Sequence, residues 1–260
     1  MRSINANRLI FAAALLLASG AASAQQKPSD WDITIGAGPG YHPRYEGSQD
    51  YRPTVLPYLD ISWRDRLFLS TDDGLGANVL RYEGLSVGPY LQLSEKRKEG
   101  ADERLRGLGD FHTGLQGGVF VNYEWAPDQS VFVKLRRDIL NNRQGLFADL
   151  GTDISVPFGK DWIGGVRAIL TWADADALQP YFGVTASQSA ASIFPTFRPR
   201  AGLRDLTIEP TLTRLLDAHW SVTLRAEYER LLSDAADSPI IRNGGAADQL
   251  EVGVTLNYHF

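Results

Sequence analysis

The last ten residues, EVGVTLNYHF (251–260), alternate polar and apolar side chains to the end of the chain. From Leu250 onward the apolar positions are Leu250, Val252, Val254, Leu256, Tyr258 and Phe260. A period of two is typical of a β-strand with one apolar and one polar face. The ends of soluble domains are usually poorly ordered. A strand pattern that continues to Phe260 therefore predicts that this end of the chain has a structural role.

The same alternation recurs along nearly the whole chain. It is clearest at 31–37, 115–125, 146–156, 162–172 and 220–229, and similar segments fit near 53–63, 84–95, 129–138 and 204–215. The sequence predicts no long helix, and only residues 187–192 (SQSAAS) resemble a helical turn within a loop. We therefore expect an all-β protein with a single domain.

The first residues have the three parts of a secretory signal peptide. Arg2 and Arg8 form a basic region, LIFAAALLLA follows, and Ala22–Ala24 supply an A-x-A cleavage site. The apolar run is shorter than the roughly 20 residues that a spanning helix needs. We expect a signal peptide at residues 1–24 and a mature β domain at residues 25–260.

Composition excludes several classes of protein. The chain has no cysteine, which excludes a lipoprotein anchor, disulfides, thiol nucleophiles and cysteine metal sites. Removing Arg2 and Arg8 from the 26 basic residues leaves 24 against 31 acidic ones, so nucleic acid is not an expected partner. Mean hydropathy is −0.21, and no later apolar run is long enough for a spanning helix. Membrane barrels remain compatible because their strands are only half apolar.

The lengths of the predicted connections indicate a membrane barrel. Short connections lie at 64–65, 82–84, 126–129, 158–161 and 216–218, and long ones at 42–52, 96–111, 139–144, 174–203 and 232–248. Barrels of the bacterial outer membrane have short periplasmic turns and longer external loops. All long loops share one side if a turn at Asp72–Gly74 divides 66–81 into two strands. This gives an antiparallel barrel of about 12 strands, or 10 if Leu67–Arg81 is one strand.

The tryptophans distinguish a membrane barrel from a soluble one. All six lie on apolar faces at the ends of predicted strands: Trp31, Trp63, Trp125, Trp162, Trp172 and Trp220. A soluble barrel turns its apolar face inward and would also accept tryptophan at mid-strand. A bilayer favours tryptophan at its two rims, where the indole is half hydrated. Five are expected at the periplasmic rim and Trp172 at the outer rim. We therefore predict a protein of the bacterial outer membrane, surrounded by its lipid.

In this topology the C-terminal segment is the strand that closes the barrel. Its end, Leu256, Tyr258 and Phe260, resembles the assembly signal that the barrel insertion machinery reads on bacterial outer-membrane proteins. The polar faces of the strands would line the lumen, where they place both acidic and basic residues, including Asp32, Lys134, Arg167, Glu209 and Arg225. Mixed charges favour internal ion pairs over a selective conduction path, which generally uses one sign.

The sequence gives little sign of catalysis. None of the four histidines lies in a G-x-S-x-G or H-E-x-x-H motif. Ser48 near His42 is a weak candidate for a hydrolase pair, and the charged run 95–104 is expected to be a solvated loop. The glycines at 36, 38 and 40 precede no helix and do not form a nucleotide loop. We expect no catalytic residues, no metal and no cofactor.

Several blocks resemble the MipA/OmpV family over nearly the whole mature chain. They are GPGYHPRYEGSQDYRPTVLPYLDISW (38–63), LRGLGD (105–110), QGLFADLG (144–151), TWADAD (171–176), YFGVTASQSAAS (181–192) and LLSDAADSPII (231–241). The resemblance implies an outer-membrane barrel. For the family's namesake it implies a bridge between a lytic murein transglycosylase and a bifunctional peptidoglycan synthase, and for other members a surface antigen.

The leading hypothesis is therefore a non-enzymatic scaffold that links murein-remodelling enzymes to the outer membrane. The alternatives are a small-solute channel and a surface antigen or adhesin, with an enzyme last. A periplasmic partner would have to bind the short turns, where the candidate residues are Arg64, Asp65, Arg66, Lys160 and Asp161. Short turns offer such a partner little surface, which is the main difficulty for this hypothesis.

Overall fold

A computed structural model describes residues 30–94, 96–140 and 145–260. The predicted signal peptide at 1–24 lies outside the described residues. Thirteen β-segments run antiparallel along the chain. They are β1 Trp31–Pro43, β2 Tyr51–Trp63, β3 Leu67–Ser70, β4 Gly74–Ala77, β5 Leu80–Tyr82, β6 Leu85–Leu93, β7 Leu115–Ala126, β8 Gln129–Asp138, β9 Leu146–Phe158, β10 Trp162–Ala173, β11 Gly202–Leu215, β12 Trp220–Leu231 and β13 Asp248–His259.

These segments close into a barrel of twelve strands. The order around the wall is β4-β3-β2-β1-β13-β12-β11-β10-β9-β8-β7-β6, and β4 pairs again with β6. Both β4 and β5 pair with β6, so together they form one interrupted wall strand. The predicted division of 66–81 into two strands, and with it the count of twelve rather than ten, is confirmed. The terminal strand β13 lies between β1 and β12 and completes the ring.

The apolar face of each strand points outward. In β12 the side chain of Leu224 is 49% exposed, whereas its neighbour Thr223 faces the lumen and shares a hydrogen bond with Thr213 of β11. In β13 Leu250 and Leu256 are exposed, while Asn257 is 2% exposed on the inner side. The alternation read from the sequence therefore has its predicted orientation, with apolar residues toward the lipid.

The long-loop end is more ordered than the sequence predicted. Four short helices lie there: α1 Ala175–Phe182, α2 Ala186–Ala191, α3 Ser233–Asp237 and α4 Pro239–Arg242. Only α2 coincides with a predicted helical turn. No helix in the described part of the chain is long and apolar enough to cross a membrane.

Two apolar clusters hold these loops over the barrel mouth. The first joins Phe147, Leu178, Phe182, Leu231 and Ile241, and the second joins Tyr45, Leu105, Leu108, Val184, Phe194 and Ile240. Each cluster combines residues from several loops or wall strands. We call the loops and helices that contribute to these clusters the cap.

Candidate functional site: a charged belt across the lumen

The hairpin between β3 and β4 is short and ends in a tight turn, Thr71–Asp73, at mid-height in the barrel. Ser70 fixes the turn because its hydroxyl oxygen accepts a hydrogen bond from the Asp73 amide at 2.8 Å. Gly74 follows with φ +71°, and a Cβ there would lie 2.2 Å from the Leu91 carbonyl oxygen. Only glycine fits this position without strain. The turn predicted at Asp72–Gly74 is therefore present.

The tip of this hairpin reaches strands on the far side of the barrel. Asp73 accepts hydrogen bonds from Lys134 of β8 at 2.7 Å and from Arg167 of β10 at 2.6 Å. Asp72 accepts one from Arg225 of β12 at 2.7 Å. In the ring order, β10 lies almost opposite the β3–β4 hairpin. The tip therefore extends into the lumen, and we call these five residues the belt.

Neighbouring side chains hold the cations of the belt in place. Arg225 also donates to Glu209 at 2.7 Å. The Lys134 ammonium lies 5.0 Å from the centre of the Phe132 ring, and the Arg167 guanidinium lies 5.1 Å from the same ring. Cations at this distance over an aromatic face are attracted by the ring electrons. The belt is therefore a network with fixed geometry, of the kind expected for internal ion pairs.

Cavities flank the belt. Two polar cavities, of about 460 and 520 Å³, share Asp72, Asp153 and Arg167 in their linings. A third, of about 290 Å³, lies toward the cap and shares Glu251 with the second. These volumes suit small solutes rather than a wide aqueous pore.

Above the belt the lumen is filled by further ion pairs. Arg136 of β8 pairs with Asp149 of β9 and donates to Gln116 at 2.9 Å. Arg204 bridges Glu46 and Asp205 beneath the cap. These contacts match the internal ion-pair network that the mixed lumen charges indicated.

The charged run 95–104 does not behave as a wholly solvated loop. Arg97 is only 5% exposed, lies over the Phe111 ring and donates to the Tyr181 carbonyl at 2.8 Å. Arg104 donates to Asp102 and Asp50 and to the Gly244 carbonyl. Its hydrogen bonds to Asp102 lower the pKa of that carboxyl to about 2. The expectation of a solvated loop holds only in part: Lys96, Lys98 and Glu103 are exposed, whereas Arg97 and Arg104 connect the loops of the cap.

The candidate hydrolase pair is not assembled. Ser48 is fully buried, and its hydroxyl donates to the Asp50 carbonyl and accepts from the Asp50 amide. His42 instead accepts a hydrogen bond from Arg52 at 3.2 Å. In the described residues no group of three or more His, Cys, Asp or Glu side chains could hold a metal ion.

The predicted partner-binding residues lie on two separate turns. Arg64, Asp65 and Arg66 join β2 to β3, while Lys160 and Asp161 belong to the turn between β9 and β10. Four wall strands separate these turns on either side of the ring. The structure thus places the two groups on opposite sides of the rim and does not bring them together.

The six tryptophans lie near the ends of their strands. Trp31 and Trp63 are cross-strand partners with ring centres 6.2 Å apart, and Trp125, Trp162 and Trp220 lie at the same rim. Trp172 lies near the opposite end of β10.

At the C-terminus, the Phe260 ring packs edge-on against Tyr258 at 4.8 Å, and the Phe260 amide donates to Ile33 of β1. Leu256 is exposed on the lipid-facing side. The roles of these residues in lipid anchoring and assembly remain predictions.

Sequence reasoning identified the Asp72–Gly74 turn but missed the belt. One signal was available: two adjacent carboxylates cannot both face the lumen in a regular strand, because neighbouring side chains alternate. Asp72 and Asp73 in the middle of a barrel wall therefore indicate that the chain leaves the wall there.

An antiparallel barrel with an apolar outer face and a charged interior defines this protein as a transmembrane β-barrel. A family model described as MltA-interacting protein MipA matches residues 35–260. The chain belongs to this family and is an outer-membrane protein.

Named relatives agree with this assignment. The chain is 30% identical over 208 residues to outer membrane protein Omp26La of Vibrio anguillarum, covering 75% of this chain and 70% of that one. The same figures apply to OmpV of Vibrio cholerae. The chain is also 24% identical over 259 residues to the MltA-interacting protein of Escherichia coli, covering 92% of this chain and 95% of that one. Among solved structures, a COG4313 outer membrane channel from Pseudomonas putida covers 93% of this chain and 100% of its own, with a TM-score of 0.40 and 12% identity.

Proposed function

We propose that this protein is a non-enzymatic scaffold that links murein-remodelling enzymes to the outer membrane. The observation that carries the proposal is the belt, because ion pairs between Asp72, Asp73 and the opposite wall cross the lumen at mid-height. A barrel obstructed by its own residues is poorly suited to solute flow. The name of its Escherichia coli relative refers to interaction with MltA, which supports a lytic transglycosylase as one partner. A peptidoglycan synthase as second partner is a proposal that rests on the family resemblance alone.

The periplasmic rim is the surface we assign to such a partner. The turn at Arg64–Arg66 is held by local contacts: Arg64 pairs with Asp30 at 2.7 Å, and the Asp65 carbonyl accepts from Asn78 at 2.8 Å. A turn that is already ordered loses little conformational entropy when a partner binds. The contact area is small, so weak and transient binding is expected.

The two candidate turns allow the docking geometry to be tested. One variant replaces Arg64, Asp65 and Arg66 with alanine, and a second replaces Lys160 and Asp161. A partner that contacts one turn will be lost from only one variant, whereas a partner that spans the barrel mouth will be weakened by both. The measurement is co-purification of a lytic murein transglycosylase with the folded barrel.

A matched control changes charge at the other end of the molecule. Lys98 and Arg106 are exposed on the cap, and their replacement by alanine should leave the partner bound. If neither rim variant reduces co-purification, the scaffold proposal fails. If the cap variant alone does so, the partner binds the opposite end.

A small-solute channel is the second candidate. The observation in its favour is that the polar cavities adjoin one another through shared lining residues. Steady conductance of the refolded protein in a planar bilayer would support this function over that of a closed scaffold.

A further inference from the structure

Two of the three lumen cavities lie side by side in the periplasmic half of the barrel, and the third lies toward the cap. The first is lined near the short turns by Asp65 and Asp128, and the second adjoins it at the belt. Glu251 connects the second to the third, which reaches Arg52 and Lys96 near the outer end. The second and third cavities therefore mark a narrow route along the β12–β13–β1–β2 side of the barrel, and the first cavity lies beside this route, across the belt.

The outer end of this route lies beside an interrupted part of the wall. β3 begins to pair with β2 only at Asp60, so β2 residues 51–58 have no β3 partner. The Thr71 amide donates to the Leu59 carbonyl, so Leu59 directs its backbone groups to this edge of β2. Because backbone groups alternate between the two edges of a strand, the other odd-numbered residues of β2 do the same. Pro53 and Pro57 occupy such positions and have no N–H to leave unpaired there. The sequence thus tolerates an unpaired edge next to the third cavity.

The belt separates the first two cavities and forms part of the wall of the second. Asp72 and Arg167 line both periplasmic cavities, and Arg225 lines the second. The hairpin tip is joined to the wall behind it through β3 and β4, each four residues long, and through the hydrogen bond from the Thr71 amide to Leu59, whereas its contacts across the lumen are side-chain ion pairs. Loss of those ion pairs would release the tip without breaking a long strand pairing.

Charge along the route indicates which solute it would admit. The second cavity is lined by six carboxylates, against two arginines. They are Asp32, Asp60, Asp72, Asp153, Glu209 and Glu251. An excess of carboxylates along a pore favours cations over anions.

We propose that the Asp72–Asp73 hairpin tip is a gate for small cations. While the tip is paired with Lys134, Arg167 and Arg225, it separates the first two cavities and obstructs the lumen at mid-height. When the tip is released, the first two cavities join and the route to the third widens. This inference goes beyond the scaffold role, which depends on the periplasmic rim and is tested by co-purification.

The test is current through single refolded barrels in a planar bilayer. The release variant is Asp72→Asn with Asp73→Asn, which keeps the shape of both side chains and removes their charge. We expect discrete current steps from this variant, with a reversal potential that indicates cation selectivity in a potassium chloride gradient. The wild-type protein should give no such steps.

A matched control removes the same charge elsewhere in the first cavity. Glu124→Gln with Asp128→Asn changes two lining carboxylates near the periplasmic mouth and leaves the belt intact, so it should be as silent as the wild type. Equal current from the control would overturn the gate, because loss of charge at any position would then suffice. Anion selectivity of the release variant would also overturn the proposal.

Folding of every variant is checked by its heat-dependent shift on a gel. If the release variant does not refold, Arg225→Gln provides a second test, because it removes the contact with Asp72, together with the one to Glu209, and leaves Asp73 anchored. Fewer or smaller cation steps are then expected. Silence of a folded release variant, or of folded Arg225→Gln in its place, overturns the proposal.

Discussion

The two ends of the barrel are built in different ways. At the periplasmic rim, connections of a few residues join paired strands, and the large side chains there, such as Phe158 at 49% exposure, face outward. At the outer end, long loops fold into the cap around fully buried residues such as Phe182. The rim is therefore stabilised by strand pairing and lipid contact, whereas the cap has a small apolar core of its own.

Replacing a phenylalanine at each end should give the largest difference. Phe182→Ala leaves a cavity in the cap core, and changes of this kind cost about 3–5 kcal/mol. Phe158→Ala, at the rim, should cost far less because half of its surface is already exposed. Proteolysis of the outer loops during a denaturant titration measures both. Equal sensitivity of the two variants would mean that the cap has no core that stabilises it.

A second prediction concerns the wall that both ends share. Leu224→Arg should destabilise the barrel by roughly 2–4 kcal/mol, because its side chain would face the lipid near mid-height. Thr223→Arg should be mild, since this side chain faces a lumen that already contains charges. Refolding titrations in lipid vesicles compare the two variants. The reverse ranking would show that the faces are assigned backwards.

The wall and the cap also differ in how well the sequence predicts their structure. The wall was predictable because alternation is imposed by backbone geometry at every strand. The cap was not, because α1 is stabilised by burial of Leu178 and Phe182 against other loops, and Pro180 within it obscures the helical pattern. A local signal was present, since Asp174 caps the helix by accepting from the Ala177 amide.

The ion pairs of the belt could not be predicted from the sequence for another reason. Its acidic and basic members are 61, 94 and 153 residues apart in the chain. Their pairing depends on how far the hairpin tip leaves the wall, which no periodic pattern specifies. The sequence could show that charges line the lumen but not which of them meet.

At the periplasmic rim, Phe260 should matter more for assembly than for stability. Phe260→Ala removes the edge-on contact with Tyr258, and aromatic pairs of this kind contribute about 0.5–1.5 kcal/mol. We expect a reduced level of folded barrel in the outer membrane. Leu216→Ala, which changes another exposed apolar residue at this rim, is the control. Equal levels of both variants would argue against an assembly role for the terminal aromatic residue.

The smallest expected effect is a dependence of the cap on pH. Hydrogen bonds from Arg104 lower the pKa of Asp102 to about 2, below the usual value of about 3.9. The contact therefore stabilises the cap above about pH 4 and is lost as the pH falls through about 2. After correction for the intrinsic pH dependence of amide exchange, the protection of residues 99–108 should decrease across this interval in the wild type. Asp102→Asn should exchange faster at neutral pH and lack this added response.

Single-channel recording of the wild-type protein shows whether the lumen is closed by its own residues. Refolded, heat-modifiable barrels are inserted into a planar bilayer in potassium chloride, and the current is followed at both polarities. The belt and the cap predict a silent baseline, with no steady conducting state. A persistent ohmic conductance from the unmodified protein would mean that neither the belt nor the cap closes the lumen.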